Sequence, residues 1–178
     1  MQRRHSSPLA SDAPQLWLRD GFVAVCEGSA LTLHDVVDDD DAAAERPLLR
    51  ERFCCALTRF RSDSDGASGR AANVLQGIDI RAGWVAGGTS SGLVLLLRLS
   101  DAPADGGSWD EPHVLELAGH SKVVACLCIE PAGERLYTSS FDRSVKEWSI
   151  AQQSCLQTVK IGTPILQMLL PAAAAAAA

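Results

Sequence analysis

Short apolar runs recur along the chain, separated by clusters of Gly, Ser, Asp and Pro. Helical spacing of the apolar positions is almost absent, and this rhythm is the signature of an all-β protein. It predicts strands at FVAV (22–25), LTLH (31–34) and RFCCALTRF (52–60), with turn residues Glu27, Gly28 and Ser29 between the first two. VLQGIDI (74–80), GWVAGG (83–88), LVLLLRL (93–99) and HVLEL (113–117) follow. VVACLCI (123–129), RLYTSS (135–140), SVKEWSI (144–150), CLQTVKI (155–161) and PILQMLL (164–170) complete the series.

Three stretches interrupt the rhythm and read as exposed loop insertions. Residues 36–46 carry the acidic run Asp38, Asp39, Asp40 and Asp41, residues 61–72 are rich in Ser, Asp, Gly and Ala, and residues 100–112 in Asp, Pro and Gly. Each has too few apolar residues to bury a face. Residues 1–15 are expected to be disordered, and the alanine run 172–178 is low-complexity. The folded segment is expected over 16–171, with strand groups near 16–60, 74–117, 117–161 and 164–170.

The pattern repeats. Gly119 in AGHSK and Gly162 in IGTPI each lie between a strand and the next apolar run, 43 residues apart. That is the length expected of one four-stranded blade, about 40–45 residues. A second mark falls six residues after a tight turn: Trp148 in SFDRSVKEW, Leu97 in TSSGLVLLL and His34 in EGSALTLHD. These marks are 51 and 63 residues apart, and the insertions account for the excess over one period.

From Leu117 to Ile150 the chain reads LAGHSKVVACLCIEPAGERLYTSSFDRSVKEWSI. This resembles a WD repeat. Gly119-His120 stands as the GH pair, Asp142 lies in the turn between two strands, and Trp148 takes the tryptophan position, with Ser149 where the name-giving aspartate would be. The resemblance implies a structural tetrad in which His120, a hydroxyl from Thr138 or Ser140, Asp142 and Trp148 hydrogen-bond in a chain. Thr138 and Ser140 are two apart on a strand and share a face, so the alternation leaves both open. WVAGGTSSGLVLLLRL (84–99) resembles part of an earlier repeat, with Ser91 for the turn aspartate and Leu97 for tryptophan. FVAVCEGSALTLHDV (22–36) is similar, and CLQTVKIGTPILQMLL (155–170) resembles a last strand followed by the start of a further blade, with Thr163 where histidine is expected. AGGTSSG, the GH repeat and ERLYTSSFDRSVKEW together also resemble the WD-repeat part of plant and algal CCCH zinc-finger proteins, but no such finger is present in the chain. The fold implied is all-β: antiparallel four-stranded blades of a WD-repeat β-propeller. Dividing 178 residues by the repeat length leaves an incomplete ring of about three to four blades, whose open edges favour self-association.

Charge narrows the partners. The net charge of −6, with scattered arginines, lacks the basic footprint of phosphate binding, so no direct nucleic-acid contact is expected. Six cysteines form no CxxC pair and no zinc spacing with histidine, and they read as free thiols in a reducing compartment. No secretory h-region and no membrane-length apolar run occurs, so an intracellular location, cytoplasmic or nuclear, is expected.

Two chemistries compete with the blade reading. Gly88-Thr89-Ser90-Ser91-Gly92 matches the G-x-S-x-G nucleophile elbow of serine hydrolases, with Asp101 or Asp110 and then His113 or His120 downstream. That elbow needs a helix after the serine, and LVLLLRL reads as a strand instead. The types of His120, Asp142 and Ser140 also match a triad, but a buried structural clip explains them better. The aspartate run lacks EF-hand spacing, so it reads as a solvated loop with a contact role for a basic partner. Trp17, Trp84 and Trp109 are core or anchor residues, and Trp109, in a polar insertion, is the expected exposed anchor.

The reading is therefore a non-enzymatic protein–protein interaction scaffold, with no cofactor and no metal. Its partner contacts are expected at Trp109 and Asp38–Asp41. The alternatives are a serine hydrolase acting through Ser90 and an accessory part of an RNA-associated zinc-finger protein.

Overall fold

Tight turns and alternating apolar positions give twelve strands among the residues that the computed structural model describes, which are 15–19, 21–27, 30–37, 48–56, 75–101 and 114–170. The first sheet joins β1 (Gln15–Arg19), β2 (Phe22–Glu27), β3 (Ala30–Val37) and β4 (Leu48–Ala56). The second joins β5 (Leu75–Arg81), β6 (Trp84–Thr89), β7 (Val94–Arg98) and β8 (Val114–Leu117). β9 (Val124–Ile129), β10 (Arg135–Ser140), β11 (Ser144–Ser149) and β12 (Ser154–Lys160) form the third. Every pair is antiparallel and joins strands adjacent in sequence. The all-β, four-stranded blade architecture expected from the sequence is the one adopted.

The sheets stack through their first strands: β5 packs on β1, and β9 packs on β5 and β6. They form an open arc rather than a closed ring. The middle sheet is covered on both faces, which explains why β7 reads as an unbroken apolar run. Leu95 and Leu97 point into a core shared with Ala24, Leu31 and Leu33 of the first sheet. Val94 and Leu96 point the other way, into a core with Val124, Leu127, Leu136 and Trp148 of the third. A strand buried on both faces needs no polar alternation; a strand with one wet face does. At Gly88 the approach of β9 is so close that a Cβ would lie 2.7 Å from the Val124 carbonyl oxygen. Only glycine lets those two backbones meet.

Three expectations change. PILQMLL (164–170) forms no strand. Ser139 Oγ donates a hydrogen bond to the Ile165 carbonyl at 2.6 Å, which lays the segment against the third sheet, while Leu166 and Leu169 stay 69% and 81% exposed. A strand needs a neighbouring edge to satisfy its backbone, and among the described residues no strand pairs with this segment. The insertion placed at 36–46 starts later, because β3 continues through Val37 in register with β4. β4 itself begins four residues earlier than the run at 52–60, at Leu48. Asp38, Asp39, Asp40, Asp41, Trp109, Asp110 and His113 lie outside the described residues, as do 1–14, 61–72 and 171–178.

Candidate functional site

The histidine, threonine, aspartate and tryptophan of the third sheet converge at one end of it. His120 lies in the loop from β8 to β9, Thr138 in β10, Asp142 in the β10–β11 turn and Trp148 in β11. Leu136 pairs with Trp148 across β10 and β11. Trp148 thereby shares a face with Thr138, and the indole is 2% exposed while Thr138 is fully buried.

Three hydrogen bonds join them. Trp148 Nε1–H donates to Thr138 Oγ1 at 2.8 Å, Thr138 Oγ1 lies 2.8 Å from His120 Nε2, and His120 Nδ1 lies 2.9 Å from Asp142 Oδ2. The donor count fixes the protons. A carboxylate can only accept, so Nδ1 carries the imidazole hydrogen. Nε2 then accepts from the threonine hydroxyl, which in turn accepts from the indole. Every polar atom in the line has a matching partner, and the imidazole is neutral.

Three further serines brace the turn. Asp142 accepts from Ser144 N–H at 2.9 Å, from the Ser144 hydroxyl at 2.5 Å and from Ser121 N–H at 3.1 Å. Ser140 takes another role: its Oγ donates to the Lys122 carbonyl at 2.9 Å and accepts Asp142 N–H at 3.0 Å. Of the two hydroxyls that alternation left open, Thr138 links imidazole to indole and Ser140 ties the turn to the β9 loop. Ser144 was missed in the sequence, although a serine two residues after a turn aspartate is a local signal for such a bond.

Protonation follows from burial. Desolvation pushes the His120 pKa below its ordinary value, and the hydrogen bond and charge of Asp142 oppose this without reversing it. Burial alone would raise the Asp142 carboxyl. Its bonds from Ser144, His120 and the Ser121 N–H outweigh that and hold it well below the usual carboxylate range.

The second sheet has no such line. The same register, Val85 with Leu97, puts Gly87 and Leu97 at the positions of Thr138 and Trp148. A Cβ on Gly87 would meet the Leu75 side chain at 2.7 Å, so leucine fills the space that the polar groups occupy in the third sheet. The G-x-S-x-G stretch is the turn from β6 to β7. Thr89 closes it, accepting Leu93 N–H at 3.0 Å and donating to the Leu93 carbonyl at 2.9 Å. A strand follows Ser90 and Ser91 rather than a helix, so the elbow architecture is missing here.

Among the described residues no group of three His, Cys, Asp or Glu side chains is placed to hold a metal ion. Cys26, Cys126, Cys128 and Cys155 form no disulfide among the described residues. Trp84 is half-buried beneath Arg98, whose guanidinium carbon lies 5.5 Å from the ring centre.

No protein-family model matches the chain. The solved C-terminal WD40 domain of Sif2 superposes with a TM-score of 0.54 at 11% identity, over 80% of this chain and 34% of that one. A chain in the Mitotic Checkpoint Complex superposes with a TM-score of 0.55 at 16% identity, over 88% and 41%. The chain has the fold of a WD-repeat β-propeller. Sequence relatives agree over short stretches. The Anopheles gambiae Ribosome biogenesis protein BOP1 homolog is 39% identical over 44 residues, 25% of this chain. The Arabidopsis thaliana Zinc finger CCCH domain-containing protein 62 is 32% identical over 77 residues, 43% of this chain. The matches span 5% and 17% of those relatives' own lengths. The likeness to these relatives is thus confined to short stretches.

Proposed function

We propose that this WD-repeat chain is a non-enzymatic scaffold for protein–protein interaction. The observation that carries the reading is the fate of its chemically capable groups. The imidazole, carboxylate, hydroxyl and indole of the third sheet are consumed by one another inside the blade, and none is aimed at a substrate. Such a clip acts as a structural tetrad of His120, Thr138, Asp142 and Trp148 that stiffens the sheet. A rigid sheet stack presents loops, and loops on rigid scaffolds carry recognition. The insertion that follows Val37, together with 61–72 and 100–112, supplies the proposed contact loops, with Trp109 as an aromatic anchor and Asp38–Asp41 as a contact for a basic partner.

The relatives' names place one of them in ribosome biogenesis. An intracellular site of action, cytoplasmic or nuclear, is proposed here on that support and on cysteines that form no disulfide among the described residues. The open ends of the sheet arc supply edges through which copies of the chain pair.

The test compares cross-linking mass spectrometry on the full chain with a variant lacking 100–112. Loss of specific cross-links in the deletion is the expected result. A serine-directed fluorophosphonate probe supplies the opposing outcome: labelling of Ser90 that disappears in Ser90→Ala would overturn the scaffold reading.

A further inference from the structure

Between the second and third sheets, at the end away from the histidine clip, lies a cleft of about 610 Å³. The β9–β10 and β11–β12 turns border it. Its walls include Trp84, Arg98, Leu115, Arg135, Ile150 and Leu156. These residues come from both sheets, so the cleft exists only because the two blades are stacked.

The cleft is chemically uneven. Leu156 is 46% exposed and faces the half-buried Trp84 and Leu115 across it, an apolar surface left in water where a well-packed blade would cover it. Arg135 is engaged with Glu147. Arg98 is exposed, lies over the Trp84 ring, and makes no ion pair among the described residues. A guanidinium resting on an indole keeps its in-plane N–H donors directed outward and loses little freedom on meeting a planar carboxylate.

Resting on the scaffold reading, we propose that this cleft is the docking site for an extended acidic–apolar peptide of a partner protein. One carboxylate of the peptide pairs with Arg98, and a neighbouring aliphatic or aromatic side chain covers Trp84 and Leu156. The charge pattern selects this occupant. One unpaired guanidinium matches a single carboxylate and cannot neutralise a phosphate backbone. A basic peptide would find the unpaired Arg98 against it. The walls are strand ends and turns that line an open cleft rather than a closed pocket with converging buried polar groups, which suits a linear segment better than a small metabolite.

The test is a random twelve-residue peptide phage library panned on the full chain, with enriched sequences synthesised as fluorescein-labelled peptides for polarisation binding. Enriched peptides should carry Asp or Glu beside Leu, Phe or Trp. Arg98→Glu and Leu156→Asp should each weaken them by about tenfold or more, whereas Lys122→Glu, on the clip side of the sheet, should not. Binding should weaken as salt rises from about 50 to about 300 mM. Arg98 and Leu156 are exposed, and matched thermal melts of the variants show that any loss is local. No enrichment, enrichment of basic peptides, or binding indifferent to Arg98→Glu would overturn the cleft assignment. A dimer of the chain abolished by Arg98→Glu would overturn it too, giving the cleft to a second copy. If partner cross-links persist in Arg98→Glu but vanish without 100–112, the scaffold stands and the cleft proposal fails.

Discussion

The Asp79 carboxylate in β5 accepts the Ile129 N–H of β9 at 2.7 Å, across the boundary between the second and third sheets. Both residues are buried, so two blades that otherwise meet through apolar side chains are also joined by a directional bond. Asp79→Ala should strand the Ile129 N–H and cost about 1–3 kcal/mol. Asp79→Asn keeps a carbonyl oxygen and should cost less. Urea unfolding followed by tryptophan fluorescence ranks the two, and equal losses would show that the oxygen acceptor is not what Ile129 needs.

Thr138→Val tests the clip at its centre. The substitution preserves shape but removes the hydroxyl, leaving the Trp148 indole N–H without an acceptor and His120 Nε2 without a donor. A loss of about 3 kcal/mol is expected from two stranded groups. Thr138→Ser keeps the hydroxyl and should lose about 1 kcal/mol, the scale of one buried methyl. Chemical denaturation of both variants against the parent gives the comparison. Ser140→Ala should leave the indole environment in near-ultraviolet circular dichroism unchanged, because Ser140 bonds to Lys122 and Asp142 instead.

Acid should loosen the third blade in two stages. His120 is harder to protonate folded than unfolded, so the unfolded chain binds more protons once pH falls below about 6.5, and stability falls with it. Asp142 is also held below its ordinary range when folded. Its contribution is complete above about pH 4 and is lost as pH drops further toward the depressed folded value. Thermal melts between pH 7.5 and 5 should show falling stability, and His120→Gln should flatten that slope while lowering the whole curve.

The approach of β9 to β6 predicts an intolerant glycine. Gly88→Ala puts a Cβ 2.7 Å from the backbone oxygen of Val124, which cannot swing away as a side-chain tip would. Overpacking of this kind costs about 1–3 kcal/mol. Hydrogen exchange should report the loss first at β6 and β9, and uniform protection in Gly88→Ala would contradict the close contact.

The blade pattern was legible in the sequence because strand alternation and turn residues are local signals. His120, Asp142 and Trp148 stood out because LAGHSKVVACLCIEPAGERLYTSSFDRSVKEWSI resembles a WD repeat, which implies their roles. The choice between Thr138 and Ser140 was not legible. Counting by twos puts both on one face, but the pairing of β10 with β9 shifts register between Ser139 and Ser140, and that irregularity separates their partners. Asp79 was hidden for another reason: its partner lies 50 residues away, and inside VLQGIDI it looks like an ordinary polar break in a strand. The cleft was equally invisible, since Trp84 and Leu156 belong to different repeats.

By itself the sequence determined the strands, their grouping by four and the residue types of the clip, because these depend on neighbours a few residues away or one hairpin away. Tertiary structure decided what happens between sheets: the double burial of β7, the Asp79–Ile129 bond, the stacked Arg98 and Trp84, and the lack of a strand at 164–170. The physical reason is range. Hydrogen bonding within a blade is written in local spacing, whereas the fit of one blade on the next depends on which surfaces the chain brings together in space.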